Sequence, residues 1–214
     1  MTRRAKRVIS RNPERRNYYL VDACFLANKY MRPQSISDPQ EKRRIEMCLS
    51  WWNEIDEQLK KRKAKVFVLD ICIAETFKVF AKKWYQGNAF RNSTEYSRAC
   101  NKLRKDIHLP AKEARKQART IVYHDIQMNR DIVISVDRFF EKMHKNDWQQ
   151  DSIVDLAILA TGKYLIDFYG FSRSELFLVT IDRELYHLAK SYLDVPMTFN
   201  PTLDKDGSQK VFCD

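Results

Sequence analysis

The 214-residue chain is 44% apolar and 31% charged, a balance that excludes a disordered polymer and suffices for the core of one domain. No apolar stretch reaches the roughly 18 residues of a membrane helix, and the N-terminus MTRRAKRVISRNPERRN lacks the apolar segment of a secretory leader, so a cytoplasmic protein with no membrane partner is expected. The net charge of +11 is unevenly spread: residues 1–16 hold seven Lys/Arg against one acid and residues 81–120 eleven against three, which leaves the remainder net acidic and points to a polyanion partner, most simply nucleic acid.

In chain order, residues 1–16 read as a basic extension and 17–214 as a single domain. The first strand is expected at Tyr18–Val21, ending on Asp22. Asp38-Pro39 opens a helix over 41–62, whose Ile45, Cys48, Leu49, Trp52, Ile55 and Leu59 recur at helical spacing. A strand follows at 65–70 (KVFVLD), then a helix over 71–84 with Ile73, Phe77, Phe80 and Trp84 on one stripe. Residues 85–130 break this rhythm and read as a basic, helical insertion with a turn at His108-Leu109-Pro110. Further strands are expected at 131–136 (DIVISV), 176–180 (LFLVT) and 195–200 (VPMTFN), with helices over 152–168 and 183–193 between them. Short, almost continuously apolar strands are those covered on both faces. Their alternation with helices predicts an α/β fold, a three-layer α/β/α sandwich around a mainly parallel sheet of about five strands. Right-handed crossovers then bring the strand C-termini to one edge, outside which the ligand sites of such sheets lie.

Several chemistries have little support. The five cysteines, Cys24, Cys48, Cys72, Cys100 and Cys213, form no CxxC pair and read as buried free thiols. The four histidines, His108, His124, His144 and His187, show neither HxxxH nor HExxH spacing. The tetrapeptide ATGK at 160–163 ends like a phosphate loop, but Ala157 stands where the first glycine belongs.

Four carboxylates are out of place in this pattern. Asp22 follows the first strand and Asp182 the LFLVT strand. Asp155 begins a helix apolar nearly all round, and Glu75 lies in the first turns of the helix after the second strand. Singly, Asp22 and Asp182 read equally well as helix N-caps, Asp155 as a buried hydrogen-bonding group and Glu75 as a solvated helix residue. Together they fall on one sheet edge, where several carboxylates stay ionised only beside a cation. A hard divalent ion, Mg²⁺ or Mn²⁺, suits such oxygen donors, and with a polyanion nearby the chemistry becomes metal-assisted phosphodiester hydrolysis.

The ordered segments LVDACFLA, LDICIAETF, SIVDLAILATG and LVTIDREL resemble the PIN-domain ribonucleases, especially the compact bacterial type of toxin–antitoxin pairs, and VPMTFNP is similar to the family's last short strand. The resemblance spans most of the chain outside the N-terminus and residues 85–130. It implies a metal-dependent endoribonuclease with Asp22, Glu75, Asp155 and Asp182 as catalytic, metal-holding quartet, supported by Thr180 and Ser152, and products with 5′-phosphate and 3′-hydroxyl ends. Asp151 adds a fifth carboxylate or caps the helix. Ala23 and Cys24 depart from the family, which carries Ser, Thr or Asn just after the first Asp.

The cations expected to meet RNA are Arg3, Arg4, Lys6 and Arg7 in the extension and Arg98, Lys102, Arg104, Lys105, Lys112, Arg115, Lys116 and Arg119 in the insertion. The insertion is open to three roles: RNA clamp, antitoxin surface or homodimer element. Two other functions compete, an RNA-binding scaffold with a degenerate site and a structure-specific DNA nuclease of the flap-endonuclease type.

Overall fold

Four short strands, β1 (Asn17–Val21), β2 (Ala64–Phe67), β3 (Leu176–Val179) and β4 (Met197–Phe199), lie in the order β2-β1-β3-β4, each parallel to its neighbours. The structure is a computed structural model and describes residues 16–87, 89–108, 126–145, 152–204 and 211–212. The expected site residues Arg3, Arg4, Lys6, Arg7, Lys112, Arg115, Lys116, Arg119 and Asp151 lie outside these, as does most of the expected turn after His108. Successive β-residues face opposite sides of a sheet, yet Tyr19, Leu20 and Val21 of β1 and all four residues of β3 are buried. Both faces of the sheet are therefore covered, as the continuous apolar runs predict.

The covering helices start where the sequence carries caps. Helix α1 (Ala23–Asn28) follows β1 directly. In α2 (Pro39–Lys60), Asp38 accepts from the N–H groups of Gln40 and Glu41 at 3.0 and 3.3 Å, and Pro39 occupies the first helical position, where its missing N–H costs nothing. The buried stripe of α2 includes Ile45, Cys48, Trp51, Trp52 and Ile55. Trp52 stacks on Phe25 at 4.8 Å and donates its indole N–H to the Phe25 carbonyl at 3.0 Å, pinning α1 to α2. Burying an aromatic side chain of this kind contributes about 2–3 kcal/mol. Helix α3 (Asp70–Tyr85) packs on α1 and buries Cys72, Thr76 and Phe80. The basic segment supplies α4 (Ser93–His108), which buries Ala99, Cys100 and Leu103 and so joins the core.

The run DIVISV is not a strand. It forms α5 (Arg130–Ser135), capped by Asn129, whose Oδ1 accepts from the Ile132 N–H at 2.9 Å. With α6 (Asp137–Lys145) it buries Ile132, Val136, Phe139 and Met143, positions four, three and four residues apart. This helical period outweighs the β-branched content of the segment, and the described sheet has four strands, not five. Helix α7 (Ile153–Tyr169) ends at Gly170, whose φ of +69° is the left-handed cap that glycine adopts without strain. Helix α8 (Arg183–Lys190) leads to β4. Among the described residues no helix is long and apolar enough to cross a membrane.

Candidate active site

The chain leaves β1 toward β2 on one side and returns as β3 on the other, which makes the C-terminal end of the β1–β3 pair the switch point of the sheet, the usual ligand crevice of open α/β folds. There the Asp22 N–H donates to the Val179 carbonyl at 3.3 Å, tying the end of β1 to that of β3. A cavity of about 240 Å³ opens at this point, lined by Asp22, Ala23, Cys24, Glu75, Lys78, Ser152, Asp155 and Asp182. The four carboxylates expected from the sequence thus share one cavity.

Each acid also has a local role. Asp22, only 3% exposed, caps α1 by accepting from the Phe25 N–H at 2.6 Å, and its other oxygen accepts from the Thr180 hydroxyl at 2.6 Å. The same hydroxyl oxygen accepts from the Asp182 N–H at 2.9 Å, so Thr180 joins the two strand-end aspartates. Asp182 caps α8, its Oδ1 accepting from the N–H groups of Glu184 and Leu185 at 2.8 and 2.9 Å. Ser152 caps α7, its hydroxyl accepting from the Asp155 N–H at 3.4 Å. Glu75 is half-buried and pairs with the exposed Lys78 one turn on, at 3.8 Å. The expected helix caps at Asp22 and Asp182 are present, and they fix where these carboxylates stand.

The carboxylates act on one another as like charges. Burial pushes the Asp22 carboxyl up to about 7 against the pull of Thr180 and Phe25, and the charges of Asp155 and Asp182 push the same way. Asp155 also rises to about 7, through burial and then Asp182, with Ser152 opposing and Glu75 and Glu184 adding to the rise. The Cys24 thiol is pushed up by burial and further by all four carboxylates. It stays protonated and is no nucleophile at neutral pH. Lys78 and Glu184 were not singled out by sequence; their signal was spacing, one turn after Glu75 and two residues after Asp182.

Among the described residues no three His, Cys, Asp or Glu side chains are arranged as they stand to hold a metal ion. Each Asp22 oxygen accepts one hydrogen bond, from Phe25 and Thr180, and keeps a lone pair for a further partner, while Glu75 lies 3.8 Å from the Lys78 ammonium. The donor chemistry nevertheless fits a hard divalent ion. Among the described residues four carboxylates and one exposed ammonium line the cavity, and two of the acids carry raised values that an adjacent cation would reverse. No family model matches the chain, and no curated protein matches it either.

Proposed function

We propose that the protein is a metal-dependent endoribonuclease with a PIN-like three-layer fold, using Asp22, Glu75, Asp155 and Asp182 to hold Mg²⁺ or Mn²⁺. The observation that carries this reading is the convergence of four carboxylates, drawn from the ends of β1 and β3 and the first turns of α3 and α7, in one cavity at the switch point of a parallel sheet. A bound ion would supply activation of water and neutralisation of charge at the scissile phosphate. The chain's own part is positional. Thr180 fixes Asp22 and Asp182 relative to each other, which limits how far these two carboxylates would have to move to take an ion. Ser152 sets the first turn of α7 and hence the place of Asp155. Lys78, the one cation among the described residues that line the cavity, would suit a non-bridging phosphate oxygen. Cys24 sits where the resembled family carries a polar support, and its protonated thiol is a weaker hydrogen-bonding group than a hydroxyl.

RNA is favoured over DNA by the resemblance alone. A role as the toxin of a toxin–antitoxin pair is part of the same reading, and an adjacent gene for a small DNA-binding protein would support it. The test is cleavage of end-labelled single-stranded RNA and DNA in Mg²⁺, Mn²⁺ or EDTA. RNA cleavage that needs metal and falls more than about 100-fold in Asp155→Asn is expected. Equal activity in that variant would sink the proposal, and RNA binding without cleavage in either metal would replace it with the scaffold.

A further inference from the structure

A second cavity, of about 270 Å³, lies between the C-terminal end of α1 and the exposed face of α4, with Tyr30, Arg32, Phe90, Glu95, Arg98 and Lys102 in its lining. Its floor is apolar and buried, with Tyr30 at 8% and Phe90 at 6% exposure. Its walls are cationic: Arg32 from the loop after α1, and Arg98 and Lys102 on one face of α4, four residues apart. None of these three has an ion-pair partner among the described residues. Lys29 also lines the cavity, but it is paired with Asp56 at 2.9 Å and lies over the Trp52 ring at 4.1 Å, so its charge is already answered. Among the described residues Glu95 is the only acid in the lining, and one of its oxygens accepts from the Arg91 N–H at 2.9 Å and the Ser35 hydroxyl at 2.8 Å.

This cavity is joined to the carboxylates by structure. Helix α1 begins at one and ends at the other, and its six residues span about 9 Å. A row of rings connects them as well: Tyr30 meets Phe80 edge-on at 6.1 Å, and Phe80 meets Phe77 at 6.3 Å, two residues from Glu75. Cations cover both ends of the row, the Lys102 ammonium 5.7 Å from the Tyr30 ring and the Arg104 guanidinium 5.2 Å from the Phe77 ring. Antiparallel return of α4 along α3 thus lays its cations out from the second cavity toward the first.

We propose that the α1–α4 cleft, walled by Arg32, Arg98 and Lys102, binds a backbone phosphate of single-stranded RNA about one or two nucleotides from the bond held at the carboxylates. Cations without an ion-pair partner among the described residues, over a buried aromatic floor, suit a phosphodiester better than a neutral ligand even though Glu95 lies within the field of Arg32. This deepens the nuclease proposal and rests on its choice of RNA. Substrate held at this second point cannot swing about the scissile phosphate, so the cleft sets register as well as affinity.

The test is fluorescence anisotropy of the full chain with a labelled single-stranded oligoribonucleotide, in EDTA and over a range of KCl. Arg98→Gln/Lys102→Gln is expected to bind about tenfold more weakly at low salt, with the slope of log affinity on log salt smaller by about 0.7, the loss of one single-strand phosphate contact. Arg32→Gln on the opposite wall should move both readings the same way, and Lys60→Gln/Lys61→Gln at the end of α2 should move neither. Circular dichroism of each variant reports that it is folded. Wild-type affinity and slope in both cleft variants would overturn the inference, as would failure of the wild type to bind RNA. Unchanged RNA binding beside weakened binding of polyglutamate would also overturn it, assigning the cleft to an acidic protein segment. Wild type that binds RNA through the cleft but cuts none in Mg²⁺ or Mn²⁺ would defeat the nuclease proposal and leave this one standing. Cleavage with unaltered binding in the cleft variants would do the reverse.

Discussion

Asp22 spends both oxygens on the protein, one on the Phe25 amide and one on the Thr180 hydroxyl, and still its carboxyl is pushed up to about 7 by burial. Asp155 rises to about 7 beside it. The ordinary value for both is 3.8. Between about 4 and about 7 the metal-free folded protein therefore holds protons that the unfolded chain has released. The stability due to these two groups is full below that window and is lost as pH rises through it. Melting in EDTA should accordingly show the wild type losing stability relative to Asp155→Asn as pH rises, because the amide cannot ionise. Added Mg²⁺ should raise the wild-type melting temperature most at the alkaline end, where the ligands are ionised, and leave Asp155→Asn nearly unmoved. Parallel melting curves for the two proteins across the window would show that Asp155 is not buried among charges as described.

At the scale of elements, α7, the helix that carries Asp155, packs by an unusually close approach at Gly162. A Cβ on Gly162 would lie 2.6 Å from Pro196 Cδ and 2.7 Å from Cγ, and the proline ring has no rotamer by which to withdraw. Gly162→Ala would favour the helix by about 1 kcal/mol on propensity, yet overpacking costs about 1–3 kcal/mol, so net destabilisation is expected from the urea midpoint. A midpoint at or above that of the wild type would show that the β3–β4 side yields freely. In the sequence this glycine stands out only as part of ATGK, a failed phosphate loop; its actual role is close contact between α7 and Pro196, just before β4, which no local pattern reveals. The sites of Asp22 and Asp182 were legible because parallel topology sends every strand C-terminus to one edge. Their link through Thr180 was not, since it depends on β1 and β3 being neighbours although 158 residues separate the bonded pair. DIVISV misled for a different reason. Its own residues favour a strand, and the helical period emerges only when Ile132 and Val136 are read on to Phe139 and Met143. The cleft over Tyr30 was half visible, in Arg98 and Lys102, while Arg32 joined it only through the folding of α1 against α4.

For the whole molecule the central fact is opposition of charge. The proposed cutting cavity is acidic, so a polyanion approaching it alone would be repelled, and cations elsewhere must draw the strand in and hold it. In the proposed reading, the cleft of Arg32, Arg98 and Lys102 would supply one holding point beside the cavity. Residues 1–16, with seven Lys/Arg against one acid, supply charge of a less specific kind. Replacing Arg3, Arg4, Lys6 and Arg7 with Gln should lower RNA affinity at low salt and reduce the salt slope by about 0.7 for each cation that meets a phosphate. The loss should shrink toward high salt, where exposed charges are screened within about 3 Å at 1 M. Because the extension and the cleft would touch different phosphates, their effects on log affinity should add when the two sets of substitutions are combined. A salt slope untouched by the N-terminal substitutions would take the extension out of the RNA path and leave the cleft to offset the acidic cavity alone. A combined effect smaller than the sum would instead mean that both sets of cations compete for the same stretch of backbone.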